Sequence, residues 1–398
     1  MNEMKNILIT GASRGIGLLT AKTLAAKGHY VLASMRNVNT QNAGVAAELT
    51  QWASANNHNL EVVELDVTDE DSVNRAIQTL EARVTIDVVI NNAGIMPCGI
   101  TEAFTPEQMA ACFDVNVVGV GRVCRAVLPH MRHRKNGLII HVSSNSGRLA
   151  MPFFGLYCSS KWALEALAES MHYELSPFGI ESILVEPGGH ETDLIDNPPS
   201  PKDLECISSY GEIAEAPDNL KQAFRDMFAQ KDSSTDAQNV ADKIASLVCM
   251  SAPRPIRSSV GHDMGIDEIN RLSRPVQANF IDAFMPLANV PYNTDNRLFV
   301  KATIQFKPEF AEQGINAIKQ IMPQTLQEAG CQLFTLMKDN DDQKKVHLFE
   351  IFDNQDALDH HYEQDYTKAV FAQYEQWLST PIEVSKMHAA SPLTSEQL

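Results

Sequence analysis

Tyr157 and Lys161 form the residue pair with the clearest chemical potential in this sequence, because they lie four residues apart. On a helix, residues at this spacing share one face. An ammonium group beside a phenol stabilises the phenolate and lowers the pKa of the phenol from about 10 towards working pH. We therefore predict that Tyr157 donates a proton to a carbonyl, or accepts one from an alcohol.

A glycine-rich loop near the start of the chain indicates a phosphate-binding turn. Residues 10–17, T-G-A-S-R-G-I-G, directly follow the predicted first strand and open the predicted first helix. Glycines permit a tight turn and let backbone N–H groups at a helix N-terminus approach a pyrophosphate. The spacing G-x-x-x-G-x-G differs from the dinucleotide fingerprint G-x-G-x-x-G, so the loop alone is weak evidence.

Further short segments with chemical potential stand at the ends of later predicted strands. They are Asp66-Val67-Thr68, Asn91-Asn92-Ala93-Gly94, Ser144, and Pro187-Gly188 with Thr192 four residues later. Tyr157 follows Ser144 by thirteen residues. This ordered set resembles the short-chain dehydrogenase/reductase family over roughly residues 5–285. Residues 151–192 look like the retinol- and hydroxysteroid-dehydrogenase-like branch.

The resemblance implies a role for each matching residue. Ser144 would hydrogen-bond the substrate oxygen, Asn116 would hold a proton-relay water, and Lys161 would also bind the ribose hydroxyls. The implied catalytic residues are Asn116, Ser144, Tyr157 and Lys161. The implied cofactor-binding residues are Gly11, Ser13, Arg14, Gly15, Ile16, Gly17, Arg36, Asp66, Val67, Asn92, Ala93, Gly94, Tyr157, Lys161, Pro187, Gly188 and Thr192.

The charge after the second predicted strand favours NADP(H) over NAD. An acid at this place grips the ribose 2′-hydroxyl in NAD sites and repels a 2′-phosphate. Here the strand ends in A-S-M-R-N (residues 33–37), without an acid. Arg36 and Arg14 can flank a phosphate, a task that suits guanidinium groups.

The substrate is predicted to be a small apolar carbonyl or alcohol compound. Apolar residues precede the catalytic tyrosine in M-P-F-F-G-L (residues 151–156), and Ile95 and Met96 follow the fourth predicted strand. Residues 193–236 contain no strand pattern and are predicted to form a helical insertion or lid. His190 has no metal partner nearby in sequence, so we interpret it as a lid residue and predict no metal site.

Residues 1–285 are predicted to form an α/β domain with a doubly wound parallel Rossmann sheet. Its apolar runs are continuous, as in strands buried on both faces, and helical stretches separate them. The predicted strands are Ile7–Thr10, Tyr30–Ser34, Glu61–Asp66, Val88–Asn91, Leu138–Ser143 and Ile183–Glu186, and a helix is predicted over Asp236–Met250. Residues 286–297 contain two prolines and are predicted to be a linker.

Residues 298–388 are predicted to form a smaller ferredoxin-like α+β domain, followed by a tail over residues 389–398. The predicted elements follow the order β-α-β-β-α-β. They are Leu298–Phe306, Pro308–Ala329, Cys331–Lys338, Lys345–Phe352, the helical segments Asn354–Tyr362 and Tyr366–Leu378, and Ile382–Met387. This region resembles the antibiotic-biosynthesis monooxygenase family. His361 occupies the first histidine of its helix motif, and Tyr366 replaces the second.

Two roles for the smaller domain remain open at this point. Members of the monooxygenase family dimerise through their sheets, and some oxidise quinols or polyketide phenols without a cofactor. Our first hypothesis is that the domain dimerises an NADP(H)-dependent oxidoreductase, because its predicted strands are apolar on both faces. The alternative is a bifunctional enzyme whose second domain is a cofactor-independent monooxygenase. The first hypothesis predicts a homodimer or a higher homo-oligomer.

Composition excludes several other classes of protein. The net charge is −18, from 32 basic and 50 acidic residues, which argues against a nucleic-acid partner. The seven cysteines are odd in number and contain no CxxC pair, which fits neither a disulfide framework nor a zinc site. We find no signal peptide and no apolar run of membrane-spanning length, and therefore expect a cytoplasmic protein without a membrane partner.

Overall fold

The computed structural model describes residues 4–192, 194, 198–230, 232–288, 297–328 and 330–388. The chain divides into two compact units, residues 1–274 and 275–398. The division falls within the helix Ile266–Phe284, before the predicted domain end at residue 285. Most of the predicted linker, residues 289–296, and the predicted tail, residues 389–398, lie outside the described residues.

The first unit contains a seven-stranded parallel sheet, which confirms the predicted doubly wound α/β class. The strand order is β3-β2-β1-β4-β5-β6-β7. The strands are β1 (Asn6–Ile9), β2 (Tyr30–Met35), β3 (Leu60–Glu64), β4 (Val88–Asn91), β5 (Gly137–Val142), β6 (Ile180–Pro187) and β7 (Arg257–Val260). Strand β7 was not predicted, because its sequence R-S-S-V contains no apolar run. Its backbone nevertheless pairs with β6 at the edge of the sheet.

Helices cover both faces of this sheet. They are α1 (Gly15–Ala26), α2 (Ala43–Ala55), α3 (Glu70–Glu81), α4 (Pro106–Phe113), α5 (Gly119–Arg134) and α6 (Gly155–Leu175). Alternate residues of one strand belong to two different cores: Ile7 and Ile9 pack into one core and Leu8 into the other. Burial on both faces explains why the apolar runs are continuous.

Four more helices follow the sixth strand. They are α7 (Leu204–Ser209), α8 (Ala216–Ala229), α9 (Gln238–Cys249) and α10 (Ile266–Phe284). Helix α9 confirms the predicted helix over Asp236–Met250, and α7 and α8 confirm that the insertion at 193–236 is helical. Residues 193, 195–197 and 231 of that insertion lie outside the described residues. In the described part of the chain, no helix has the length and apolar composition that crossing a bilayer requires.

The second unit contains a four-stranded antiparallel sheet in the order β11-β8-β10-β9. Its elements are β8 (Leu298–Gln305), α11 (Ala311–Thr325), β9 (Cys331–Lys338), β10 (Lys345–Phe352), α12 (Gln355–Glu363), α13 (Asp365–Trp377) and β11 (Glu383–His388). This order confirms the ferredoxin-like prediction. Helix α11 ends at Thr325, earlier than the predicted Ala329, which itself lies outside the described residues. Val300 and Leu348 pack with Ile318 and Val370 on the helix-covered face.

Candidate active site

The glycine-rich loop brings the ends of β1 and β4 into direct contact. Gly11 has a φ of +68°, and a Cβ there would lie 2.8 Å from the Cα of Ala93. A Cβ on Gly17 would lie 2.4 Å from the carbonyl oxygen of Gly11. Both distances are shorter than real Cβ contacts, and the φ of Gly11 favours glycine. Glycine at these positions therefore allows the close approach of the two loops.

Asn92 and Thr10 hold the two loops together by hydrogen bonds. The Asn92 side-chain amide donates to the carbonyl oxygens of Thr10 (3.0 Å) and Gly11 (3.1 Å). The Thr10 hydroxyl accepts the backbone N–H groups of Asn92 (3.0 Å) and Ala93 (3.1 Å). Sequence analysis did not identify Thr10 as a site residue, although a hydroxyl directly before the glycine loop was the available signal.

The start of α1 has the features of a phosphate site. The helix begins at Gly15, and the Arg14 side chain makes no capping hydrogen bond. By contrast, the Asp69 side chain caps α3. The first N–H groups of an uncapped helix and its dipole favour an anion, so this turn fits the pyrophosphate of a dinucleotide. Thr192 lies beside the turn, since a Cβ on Gly15 would be 3.7 Å from its side chain.

The end of β2 carries an exposed cation and no acid of its own. Arg14 and Arg36 are both exposed, and neither forms an ion pair within the described residues. Glu64, at the end of β3, accepts the backbone N–H groups of Asn37 and Val38, each at 2.8 Å. These bonds occupy both of its carboxylate oxygens and fix the backbone directly after Arg36.

Asp66 and Val67, two further predicted cofactor-binding residues, follow β3. One carboxylate oxygen of Asp66 accepts the backbone N–H (2.9 Å) and the hydroxyl (2.7 Å) of Thr68. The carbonyl oxygen of Val67 accepts a bond from the Arg122 guanidinium at 3.1 Å. Both residues thus shape the loop after β3.

Tyr157, Lys161 and Ser144 meet at the carboxyl end of β5. Tyr157 and Lys161 are both buried on α6, and the Lys161 Nζ lies 5.8 Å from the centre of the Tyr157 ring. The Lys161 ammonium donates to the carbonyl oxygen of Val142 at 2.8 Å. Ser144 lies near enough to Tyr157 to lower the pKa of the phenol. The Ser144 hydroxyl also accepts the backbone N–H of Ser146 at 3.1 Å.

The protonation of this pair differs from the sequence-based expectation. Burial raises the pKa of Tyr157 to about 12, although the neighbouring Ser144 side chain lowers it. Burial also lowers the pKa of Lys161 to about 8. The predicted fall of the tyrosine pKa is therefore wrong for this structure, because loss of solvation opposes the phenolate more strongly than neighbouring groups favour it.

Asn116 lies in a π-helical turn, residues 114–118, and joins the loop after β4 to α6. Its side-chain oxygen accepts the backbone N–H of Ile95 at 2.9 Å. Its amide donates to the Ile95 carbonyl oxygen and to the Ser160 hydroxyl, each at 2.9 Å. The side chain thus has protein partners on both polar atoms. Ser160 was not predicted as a site residue.

The unpredicted strand β7 positions the loop after β6. Gly188 directly follows β6, and its backbone N–H donates to the Val260 carbonyl oxygen at 2.9 Å. The His190 Nδ1 lies 3.1 Å from the Gly188 carbonyl oxygen, and the ring packs against Gly261. Burial lowers the pKa of His190. We therefore interpret His190 as a residue that orders this loop.

A cluster of apolar side chains surrounds Tyr157. Phe154 of the loop before α6 contacts Phe224 of α8 edge to face, with ring centres 6.0 Å apart. Phe224 stacks on Phe228 at 6.3 Å. The cluster consists of Cys98, Phe154, Tyr157, Cys158 and Phe228, with Met96, Met151, Leu220, Phe224 and Met227 packed against it. Of the predicted pocket residues, Met96, Met151 and Phe154 are present, whereas Ile95 and Leu156 pack in a separate cluster.

The second unit contains its own buried polar group. The His361 Nδ1 lies 2.8 Å from Glu328 Oε1, and the Tyr366 hydroxyl donates to the same oxygen. Glu350 of β10 is buried, and this burial, with Glu328 nearby, raises its pKa to about 7. The two residues named by the sequence therefore lie together, around a glutamate that sequence analysis missed.

Comparison with known proteins places the first unit in a family. Residues 5–202 match the family model described as short chain dehydrogenase. The uncharacterized oxidoreductase YusZ of Bacillus subtilis (strain 168) is 34% identical over 66% of this chain and 90% of its own length. The chain belongs to the short-chain dehydrogenase family. The first unit of this short-chain dehydrogenase has the Rossmann-like sheet, and Ser144, Tyr157 and Lys161 lie together at the carboxyl end of β5.

Other relatives of this short-chain dehydrogenase are named for the compounds on which they act. The 3-ketodihydrosphingosine reductase of Bacteroides thetaiotaomicron is 32% identical over 64% of this chain and 87% of its own length. The human 17-beta-hydroxysteroid dehydrogenase type 1 is 32% identical over 70% of this chain and 84% of its own length.

Solved structures share the fold of the first unit. A gluconate 5-dehydrogenase from Burkholderia cenocepacia, in complex with NADP and tartrate, has a TM-score of 0.52 at 27% identity and covers 66% of this chain and 95% of its own. A short chain dehydrogenase/reductase from Burkholderia phymatum, in complex with NAD, has a TM-score of 0.56 at 22% identity and covers 69% and 95%. In the second unit, residues 297–373 match the family model described as Antibiotic biosynthesis monooxygenase.

Proposed function

We propose that the first unit reduces the carbonyl group of an apolar small molecule to an alcohol with NADPH. The observation that carries this proposal is a buried phenol, Tyr157, which lies beside Ser144 and is surrounded by apolar side chains of α8 and the loop before α6. Such surroundings favour a substrate that is apolar beside Tyr157 except for its reacting oxygen, which would accept the proton.

The catalytic residues have defined roles in this reaction. Bound NADPH would supply the hydride to the carbonyl carbon. Ser144 and Tyr157 donate hydrogen bonds that orient the carbonyl oxygen, and Tyr157 transfers its phenolic proton to that oxygen as the alcohol forms. A pKa of about 12 keeps this proton on Tyr157 at neutral pH, which is the form that reduction requires. The Lys161 ammonium favours the phenolate left behind.

NADPH is the proposed cofactor because of the charges after β2. The exposed Arg36 follows the last residue of β2, and Arg14 precedes α1, on the neighbouring strand's loop. Glu64 does accept bonds at this edge, but both of its oxygens bind the backbone of residues 37 and 38. The two guanidinium groups therefore favour a 2′-phosphate.

We also propose that the second unit holds two copies of the chain together through the face of its sheet opposite the helices. The register places Phe299, Leu333, Ile351 and Met387 side by side on that face. Met387 is 43% exposed, and Phe299 and Leu333 are half-buried. An apolar row of this kind on a sheet favours pairing with a second copy.

A second candidate function is oxygenation of a phenolic substrate by the second unit. Within the described residues, Glu328 and Glu350 each retain a buried carboxylate oxygen without a hydrogen-bond partner. A buried carboxyl with a raised pKa is suited to accept a phenolic proton, after which molecular oxygen would serve as the oxidant. Oxygen uptake by the full chain in the presence of a hydroquinone would support this candidate. No oxygen uptake would support a dimerisation unit without catalytic activity.

The experiment for the main proposal is a panel of carbonyl compounds assayed by loss of NADPH absorbance. The panel contains all-trans-retinal, estrone and 3-ketodihydrosphingosine, together with acetone and glyceraldehyde as small, polar controls. We expect turnover with at least one apolar compound and much slower turnover with the controls. Equal rates with apolar and polar carbonyls would contradict the proposed substrate class.

A further inference from the structure

A group of buried charged residues joins α6, β6 and β7. The Arg257 Nε lies 2.8 Å from Glu165 Oε2, and its Nη2 lies 2.6 Å from Glu169 Oε2. Glu186 Oε1 is 3.7 Å from the Arg257 Nε and 4.0 Å from the Arg148 Nε. This group has no part in the proposed reaction itself, but it lies next to the catalytic residues of α6.

Glu165 connects this group to the catalytic lysine. It lies four residues after Lys161 on α6, so the two side chains share one face of the helix. Glu165 is 3% exposed and Lys161 is 5% exposed. One Glu165 oxygen binds Arg257, and the other has no hydrogen-bond partner among the described residues. A buried ammonium group requires a compensating negative charge nearby.

The other titratable groups around Lys161 are neutral near pH 7. Burial raises the pKa of Tyr157 to about 12, and it also raises the pKa of Cys112, on α4. Burial lowers the pKa of His141, on β5, to about 3. The loop after β4 contributes Gly94, which carries no charge. Glu165 is the carboxylate whose charge raises the pKa of Lys161 against the effect of burial.

Glu165 also packs against the loop that carries Ser144. A Cβ on Gly147, three residues after Ser144, would lie 2.9 Å from Glu165 Cγ. Glu165, on the same helix as Lys161, therefore contacts both the loop of Ser144 and the Arg257 guanidinium of β7.

We propose that Glu165 is the buried counter-ion of Lys161 and a positioning residue for the catalytic pair. This inference rests on the proposed roles of Tyr157 and Lys161. Without the Glu165 charge, Lys161 loses its proton at a lower pH. The positive charge of Lys161, which favours proton transfer from Tyr157, is then lost within the pH range in which the enzyme works.

The test is a direct titration of Lys161 by NMR in protein labelled with ¹³C-lysine. The Lys161 signal is assigned by its absence in Lys161→Arg. We expect Glu165→Gln to move the titration midpoint of Lys161 to lower pH by roughly one unit or more. The alkaline limb of kcat/KM for carbonyl reduction should move by the same amount. Glu169→Gln, two turns from Lys161, is the matched control that also removes a carboxylate from Arg257, and it should leave the midpoint in place.

Glu165→Asp keeps the negative charge, but its side chain is shorter by one methylene group. It should therefore shift the titration midpoint of Lys161 less than Glu165→Gln does. If Glu165→Gln does not fold, Glu165→Asp alone provides the test. An unchanged Lys161 midpoint in whichever variant folds overturns the inference. The midpoint does not depend on turnover, so a failure of the proposed reaction, seen as inactivity on every carbonyl, is recognised separately.

Discussion

At the residue scale, we propose that the choice of cofactor depends on the side chain of Arg36. It is exposed at the end of β2 and has no ion-pair partner within the described residues. We expect Arg36→Asp to weaken NADPH binding by roughly 1.5–3 kcal/mol, because it removes a charge-assisted contact and introduces repulsion of the 2′-phosphate. NADH binding should change little, since NADH has no charge at this position.

The measurement is the Kd of both cofactors in the original protein and the variant, obtained from quenching of protein fluorescence. Arg75→Asp, on the exposed face of α3, makes the same change of charge away from the site and serves as the control. Equal Kd values for NADPH and NADH in the original protein would refute the proposed preference.

Sequence predicted which side chains of the candidate site lie together better than it predicted their protonation. The spacing of Tyr157 and Lys161 placed both on one helix face, as found. Their pKa values could not be read from spacing, because they depend on burial by residues distant in sequence, such as those of α8. The role of Ser160 was missed for the same reason, because its hydroxyl gives no signal until its partner Asn116 is close in space.

At the element scale, strands β1 to β6 were predictable and the edge strand β7 was not. Strands β1 to β6 carry continuous apolar runs because helices cover both faces of the sheet. Strand β7 reads R-S-S-V, and its Arg257 is buried only because three glutamates from α6 and β6 surround it. Ion pairs between elements that are distant in sequence leave no recognisable pattern in the local sequence of the strand.

The prediction at this scale concerns the face of the second unit's sheet that lies opposite the helices. Replacing Leu333 by glutamate places a charge in the apolar row beside Ile351. We expect Leu333→Glu to convert the full chain from a dimer or larger assembly to a smaller species in light scattering at micromolar concentration. Val384→Glu is the control: Val384 is 49% exposed and pairs with Ala302, whose side chain belongs to the helix-covered face. An original protein that is monomeric under these conditions would rule out the dimer proposal.

At the scale of the whole molecule, the buried charged group predicts a pH dependence of stability. Burial and the neighbouring Glu165 raise the pKa of Glu186 to about 8. Three glutamates share two arginines here, so the folded protein holds one proton that the unfolded chain releases near pH 4.5. The folded state therefore binds more protons between these values. Stability from this group is complete below pH 4.5 and is lost as the pH rises through about 8.

Glu186→Gln removes this titration while retaining the hydrogen-bonding shape of the side chain. We expect the free energy of unfolding of the variant to fall less steeply from pH 5 to 8, by at most about 1.4 kcal/mol per pH unit relative to the original protein. Denaturant unfolding across this range measures the difference. The exposed Glu48→Gln should follow the original protein, and an identical slope in Glu186→Gln would contradict the assignment.

The central claim, hydride transfer from NADPH with Tyr157 as the proton donor, is tested most directly with NADPH that carries deuterium at both C4 positions and with the best apolar carbonyl of the panel. In the original protein, deuterium from C4 of the nicotinamide should appear on the carbinol carbon of the product. In Tyr157→Phe, turnover should fall by about 100-fold or more while the Kd for NADPH stays nearly unchanged, because the proton is removed but the cofactor contacts remain. A product without deuterium, or a Tyr157→Phe variant that retains more than about a few per cent of the activity, would contradict this account.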